Sequence, residues 1–297
     1  MIPFAKGHGL GNDYLVMDEA DLPGPLSEAA IRRICDRNWG VGSDGILLLV
    51  STDRANFGLR IFIPDGSEAE KSGNGLRIFA KYLWERGLPT THRFTVDTRG
   101  GLVECECHVR SGRMDFVTVE MGPATFRAEA IPMRPAGEKA IDELLLLLPD
   151  GAEVAVTAVS VGNPHCVLFV DELDEAECRR LGPLLENHSA FPKRTNVQLA
   201  KVVSRDAIEI LIWERGAGFT LASGSSSCGA ASAAVRKGHC DHGLVTVRMP
   251  GGELQVEVRP DWSLRLAGPV EEVCSGTLNR EFVERYVRTE WDSETAG

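Results

Sequence analysis

Three short stretches of this 297-residue chain recur at one constant spacing. Gly11-Asn12-Asp13-Tyr14 resembles Gly162-Asn163-Pro164-His165, Ser72-Gly73-Asn74 resembles Ser223-Gly224-Ser225, and Arg99-Gly100-Gly101 resembles Pro250-Gly251-Gly252. The matched Asn, Ser and Gly residues lie 151 positions apart in every pair. Self-similarity at one period marks a duplicated module. The chain therefore reads as a first domain over residues 1–130, a second over 131–275, and a tail over 276–297 that returns toward the first. Met133–Gly151 reads as the crossover between the halves.

Both halves spell the same order of elements. A strand (Asp13–Met17; His165–Val170) precedes a helix (Glu28–Arg37, capped by Ser27; Asp174–Leu181, stopped by Gly182-Pro183). Apolar, β-branched runs follow, at Ile46–Val50, Gly58–Ile63, Val197–Val203 and Ala207–Trp213. A glycine-containing loop then opens a second helix (Gly73–Glu85; Gly224–Lys237), and alternating strands joined by Gly-Gly turns close each half. The helix at 224–237 is built almost wholly of Ser, Gly and Ala, which suits complete burial. These patterns predict an α+β protein of two pseudo-symmetric barrel-like domains. Each is a mixed or antiparallel sheet wrapped around a central helix, and the active-site cleft is expected between them.

Composition narrows the partners. Forty-three acidic residues against 32 basic give a net charge of −11, which argues against nonspecific nucleic-acid binding and anionic membrane surfaces. Apolar runs such as Ile46–Val50 fall far short of the ~20 residues that a membrane span needs. The opening Met1-Ile-Pro-Phe-Ala-Lys6 lacks a signal peptide's apolar region, so a cytoplasmic location is expected, with the eight cysteines as free thiols. No metal and no nucleotide loop is expected. His239-Cys240-Asp241-His242 is spaced too tightly for one tetrahedral site and reads as a solvated loop, while Cys105 and Cys107 read as core residues of one strand face.

The two loops that open the second helices carry the chemistry. Pro64–Gly75 and Glu214–Ser225 both end in Ser-Gly-polar at a helix start. Unpaired N–H groups and the helix dipole make such a start a site for an anion, here a carboxylate or its enolate form.

Seven ordered stretches resemble the diaminopimelate epimerase family, whose fold is shared with phenazine-biosynthesis isomerases and proline racemases. They are Lys6–Asp13, Gly40–Gly45, Asp65–Ala69, Gly73–Arg77, Gly162–His165, Arg194–Asn196 and Glu214–Gly216. The resemblance implies a cofactor-independent amino-acid epimerase or racemase, of the kind found in lysine and peptidoglycan-precursor pathways. In such enzymes one cysteine at each helix start removes or returns the α-proton. The aligned positions here are Ser72 and Ser223, and Cys228 lies inside the helix. A thiol has a reference pKa near 8.5, whereas a serine hydroxyl is a far weaker acid that needs an adjacent base. Three explanations stay open: engineered replacement, natural divergence to another base, or ligand binding without turnover. Ile63, where family epimerases resemble Asn, and Gly45, where some carry Gln, point to natural divergence and away from a substrate with a polar far end.

The resemblance also implies roles. Asn12, Asn163 and Asn196, with Glu214 and Arg215, would hold substrate amine and carboxylate groups; Gly73, Asn74, Gly224 and Ser225 would donate to the α-carboxylate. Acid–base candidates besides the serines are Asp44, Asp65, His165 and Glu214. Asp44 lies where phenazine-type isomerases carry their acidic base, and a buried carboxylate there would have a raised pKa. Glu68 and Glu70 read as surface or outer charges. The expected partner is a small amino or carboxylic acid, and edge strands of open barrels would allow a homodimer.

Overall fold

The computed structural model describes residues 1–134, 144–149 and 151–288. They form two compact units, one of residues 1–119 with the chain from 269 onward, the other of residues 120–268. The first contains β1 (Ile2–Gly9), β2 (Asn12–Asp18), α1 (Glu28–Cys35), β3 (Ile46–Val50), β4 (Phe57–Phe62), β5 (Glu68–Ala69), α2 (Gly73–Glu85), β6 (Arg93–Thr98), β7 (Gly101–Arg110) and β8 (Arg113–Pro123). The second contains β9 (Leu144–Leu147), β10 (Glu153–Ser160), β11 (Pro164–Phe169), α3 (Glu175–Glu186), β12 (Asn196–Ser204), β13 (Ala207–Glu214), β14 (Gly218–Thr220), α4 (Gly224–Arg236), β15 (Gly243–Met249), β16 (Gly252–Val258) and β17 (Ser263–Pro269). The chain then returns to the first unit as β18 (Glu271–Leu278) and α5 (Arg280–Tyr286).

The strand order of the first unit is β18–β1–β2–β3–β4–β6–β7–β8, parallel at β2/β3 and β4/β6 and antiparallel elsewhere. That of the second is β9–β10–β11–β12–β13–β15–β16–β17, parallel at β11/β12 and β13/β15. The repeat holds at the level of hydrogen-bond register. Leu15 pairs with Ile46 as Cys166 pairs with Val197, Ile46 with Phe62 as Val197 with Trp213, and Thr98 with Gly101 as Met249 with Gly252. A one-residue slip would turn every side chain to the other face, so a shared register means a shared inside and outside.

Each sheet curls around one helix. α2 touches β1, β2, β18 and β7, which lie toward opposite ends of the strand order, and α4 touches β10 to β13 together with β15 and β16. The outer faces are covered too. Ile31, Ile34 and Cys35 of α1 and Val283 of α5 pack with Leu15, Met17, Ile46 and Leu48, and Leu181 and Leu185 of α3 pack with Val197 and Leu199. Cover on both faces explains why Ile46, Leu47 and Leu48 are consecutively buried rather than alternating.

The structure differs from the sequence expectations at identifiable places. The unit bounds fall at 119/120 and 268/269 rather than 130/131 and 275/276. No element is read from the sequence at β1 and β10, which are full strands. Within the expected crossover lies β9, while residues 135–143 and 150 fall outside the described residues, as do 289–297 of the tail. α3 does not stop at Gly182-Pro183 but runs on to Glu186. A Cβ on Gly182 would lie 2.5 Å from Trp213 Cδ2, so the glycine is what lets this helix settle on the indole. The extra turn buries Leu185 and brings Glu186 to the Trp213 Nε1 at 2.8 Å.

Gly182→Ala is therefore expected to lower unfolding stability by about 1–3 kcal/mol through overpacking, read as a reduced urea midpoint at unchanged slope.

Candidate functional site

In each unit the residues expected to carry the chemistry lie at the first turn of its enclosed helix. In the first unit Ser72 caps α2, its Oγ accepting from Gly75 N at 3.0 Å while Tyr14 Oη lies 3.4 Å from the same Oγ. The Gly73 and Asn74 N–H groups belong to the turn that has no preceding helical carbonyl. Behind them runs a continuous polar chain. Arg77 Nη2 donates to Asn74 Oδ1 at 2.8 Å, Asn74 Nδ2 to Asn12 Oδ1 at 3.1 Å, and Asn12 Nδ2 to Asp44 Oδ2 at 2.9 Å.

Asp44 anchors this chain. It takes Asp13 N at 3.1 Å on Oδ2 and Arg37 Nη2 at 2.8 Å on Oδ1. The expectation of a buried carboxylate fails here: the Asp44 side chain is 39% exposed and three donors engage its two oxygens. Arg37 also binds Asp13 at 2.7 Å, and Lys6 Nζ binds Asp13 at 2.9 Å and Gly42 O at 2.7 Å. Burial alone would raise the Asp13 carboxyl, but hydrogen bonds from Arg37 and Lys6 outweigh it and hold it below the ordinary carboxylate value. Asp65, a second expected base, is a turn residue. Its Oδ1 accepts from Ser67 N at 2.8 Å, which lowers its carboxyl too. Glu68 pairs with Arg60 at 3.0 Å.

In the second unit Ser223 caps α4, with Ser226 N at 3.5 Å from its Oγ, and is only 4% exposed. Asn163 Nδ2 points to Ser225 Oγ at 3.5 Å, repeating the Asn12–Asn74 pair at the same offset. His165 stands where Tyr14 stands in the first unit, and its surroundings are different. It is fully buried, donates from Nε2 to Asn163 Oδ1 at 2.9 Å and accepts at Nδ1 from Gln198 Nε2 at 3.1 Å. Gln198 also donates to Ser226 Oγ at 3.0 Å. Desolvation pushes the imidazole pKa down to about 3, against a smaller upward pull from Gln198, so His165 is neutral at physiological pH. It orients Asn163 rather than offering a base. Gly229 makes the room, since a Cβ there would come 2.9 Å from His165 Cγ.

Asn196 joins two loops, its Nδ2 donating to Pro164 O at 3.0 Å and its Oδ1 accepting from Arg215 N at 3.0 Å. Arg215 itself is exposed at the tip beyond Glu214, with Nη1 on Lys193 O at 3.2 Å. Sequence reasoning missed Glu186. This buried carboxylate takes Arg194 Nη1 at 3.0 Å, Gly216 N at 2.9 Å and Trp213 Nε1 at 2.8 Å. It thereby ties the Arg194–Asn196 loop, where Arg194 has φ +59°, to the Glu214–Gly216 loop. The one available signal was Glu186 itself, a charge beside the apolar Leu184-Leu185.

The remaining motifs are structural. All eight cysteines are free, and only Cys274 is exposed. Burial drives the Cys105 and Cys107 thiols up, the latter to about 12, and Cys228 is buried within α4. The loop at 239–242 is less solvated than expected: Cys240 is buried, His239 lies against Phe169 and His242 against Trp262, and Asp241 pairs with Arg205. Among the described residues no His, Cys, Asp or Glu group of three could hold a metal ion, and no helix is long and apolar enough to cross a membrane.

A family model described as diaminopimelate epimerase matches residues 4–127 and 157–272. "Diaminopimelate epimerase 2" of Nostoc sp. is 47% identical over 281 residues, covering 94% of this chain and 96% of that protein. "Diaminopimelate epimerase" of Pelotomaculum thermopropionicum is 42% identical, with coverage of 92% and 97%. Among solved structures, a probable proline racemase from Agrobacterium radiobacter K84 superposes with a TM-score of 0.69 at 16% identity, covering 94% of this chain and 93% of that one. A phenazine biosynthesis protein of the PhzF family from Bacillus anthracis does so at 0.67 and 16%, with coverage of 94% and 99%. At such identities these two show the shared fold.

The buried neutral His165 has a pH signature. Its folded pKa lies below the unfolded reference of 6.5, so the unfolded chain binds the extra proton and stability falls as pH drops below about 6.5. About 2 kcal/mol should be lost between pH 8 and pH 5 from this group alone. His165→Gln is expected to flatten that part of a stability–pH profile measured by urea unfolding, whatever it does to stability at pH 8.

Proposed function

The chain belongs to the diaminopimelate epimerase family and is an isomerase of the epimerase and racemase type, and on that premise we propose that it moves the α-proton of a small amino or carboxylic acid without a cofactor, using hydroxyl groups where the resemblance implies thiols. The observation that carries this reading is the repeated half-site: a serine-capped helix start with an Asn side chain directed at the second residue of the helix, at Ser72–Asn74 with Asn12 and at Ser223–Ser225 with Asn163. Backbone N–H groups of Gly73, Asn74, Gly224 and Ser225 favour a carboxylate, and favour it more as proton loss places a second negative charge on its oxygens. Asn12 and Asn163 hydrogen-bond the substrate's polar groups. Arg215 offers a fork for a carboxylate, Asn196 and Glu186 set its loop, and Glu214 completes the binding group.

Ile63 is half-buried at the end of the β4 hairpin, its N–H and C=O both used within the Ile63–Ser67 turn. Its side chain has no hydrogen-bonding group, which supports a substrate without the polar far end of diaminopimelate. The serines fit natural divergence in this reading. A phenazine-type reaction with Asp44 as base is less well supported, because Arg37, Asn12 and Asp13 N already engage that carboxylate.

Incubation in D2O with meso-diaminopimelate, glutamate and proline, followed by mass spectrometry, tests the proposal. Deuterium is expected at Cα of at least one of them. Introducing thiols with Ser72→Cys and Ser223→Cys together should raise that rate at least tenfold, since a thiol exchanges protons near neutral pH far more readily than a hydroxyl. No exchange, combined with a raised melting temperature in the presence of one compound, would replace the proposal with a non-catalytic binder.

A further inference from the structure

The second unit buries a polar pair where the first buries an apolar contact. Gln198 and Ser226 lie 151 residues beyond Leu47 and Gly75. In the first unit Leu47 lies against that turn of α2, since a Cβ on Gly75 would fall 3.0 Å from Leu47 Cδ2. In the second unit Gln198 Nε2 lies 3.0 Å from Ser226 Oγ and 3.1 Å from His165 Nδ1, and all three residues are fully buried. Burying an amide where the fold accepts leucine is costly unless the amide's hydrogen bonds are made. Among the described residues, Gln198 Oε1 has no hydrogen-bond partner. Turned end for end, the amide would instead leave an NH2 group with two donors unpaired. A buried orphan N–H is a rarer defect than an under-satisfied carbonyl, so the NH2 end faces the imidazole and the serine.

The direction of the remaining links follows. A neutral imidazole has one N–H. Nδ1 of His165 accepts from Gln198, so the N–H sits on Nε2 and donates to Asn163 Oδ1 at 2.9 Å. Asn163 thereby turns its carbonyl toward the imidazole and its NH2 toward Ser225, at the start of α4. We propose that Gln198 is a positioning residue: through His165 it fixes Asn163 as a hydrogen-bond donor at the second half-site, which favours a carboxylate oxygen of the substrate there over an ammonium group. The inference rests on the ligand chemistry proposed above. The Asn163 NH2 joins the Gly224 and Ser225 N–H groups, which have no helical carbonyl before them. An ammonium would meet that NH2 donor against donor, whereas a carboxylate oxygen accepts from it. With the amide at 198 reversed, the imidazole N–H would move to Nδ1, Asn163 would present its oxygen, and the preference would invert.

Two variants and two readouts test the assignment. Gln198→Met keeps the length of the side chain without its amide, and Gln198→Leu installs the residue that the first unit carries at this position. In protein labelled with 15N at histidine, the imidazole signals missing from His165→Gln identify His165. The wild-type ring is expected as the pure Nε2–H tautomer across neutral pH, and both variants are expected to show a mixture of tautomers, which a merely structural amide would not control. The second readout is Cα deuterium exchange with the fastest of meso-diaminopimelate, glutamate and proline. In both variants KM should rise about tenfold, the worth of a hydrogen bond to a charged group, while kcat changes less than about threefold. A wild-type His165 protonated on Nδ1, variants that keep the pure Nε2–H form, or an unchanged KM would overturn the assignment. Absence of exchange in the wild-type protein overturns the proton-transfer reading instead. The tautomer readout needs no turnover, and the loss of affinity is then read from melting-temperature titrations with the same compounds, so the two failures are told apart.

Discussion

A helix enclosed by strands has one place where its backbone is not self-sufficient, and the rest of this protein is arranged around that place. The interior turns of α2 and α4 satisfy their own N–H groups, but the first turn cannot. Ser72 and Ser223 each cap one of those donors with a side-chain oxygen, and the neighbouring N–H groups have no helical carbonyl before them. A chain that surrounds a helix with sheet thus creates, at its start, a polar spot in otherwise apolar surroundings. Two copies of the module create two such spots, and in each the Asn at the start of β2 or in the turn leading into β11 is drawn to it.

The networks behind the spots show how similar backbones are supported by different chemistry. The first half-site is anchored by charge, through Asp44, Arg37, Asp13 and Lys6, partly open to solvent where ion pairs are cheap to maintain. The second is anchored by neutral groups, His165, Gln198 and Ser226, all fully buried, where a charge would be costly and hydrogen bonds between neutral partners are retained. Burial decides which kind of anchor each unit uses, and it also converts His165 from an expected base into an orienting group.

Much of this was legible in the letters. The bounds of α2 at Gly73–Glu85 and the serine caps follow from local rules, since capping depends only on residues within one turn. Most strands were readable because their pattern is set by which face is buried. Those that escaped were β1, β5, β9, β10, β14 and β18, and β18 depends on a partner strand distant in sequence, pairing with β1 across Ile2 and Leu278. Glu186 escaped for the same reason. Its three donors come from residues 194, 213 and 216, and no local pattern announces a carboxylate that becomes a knot between loops.

The sequence by itself determined the duplication, the register that follows from it, the two helix starts and the serines that occupy them. These are consequences of periodicity and of contacts within a few residues, and they survive any packing. Only the tertiary structure decided which groups around those serines are available for chemistry. That choice depends on burial and on through-space partners: Arg37 on Asp44, Gln198 on His165, and the phenol of Tyr14 beside Ser72. The same position of the repeat carries a locked imidazole in one unit and a hydroxyl at the helix start in the other, because the side chains packed around it differ although the backbone pairing does not.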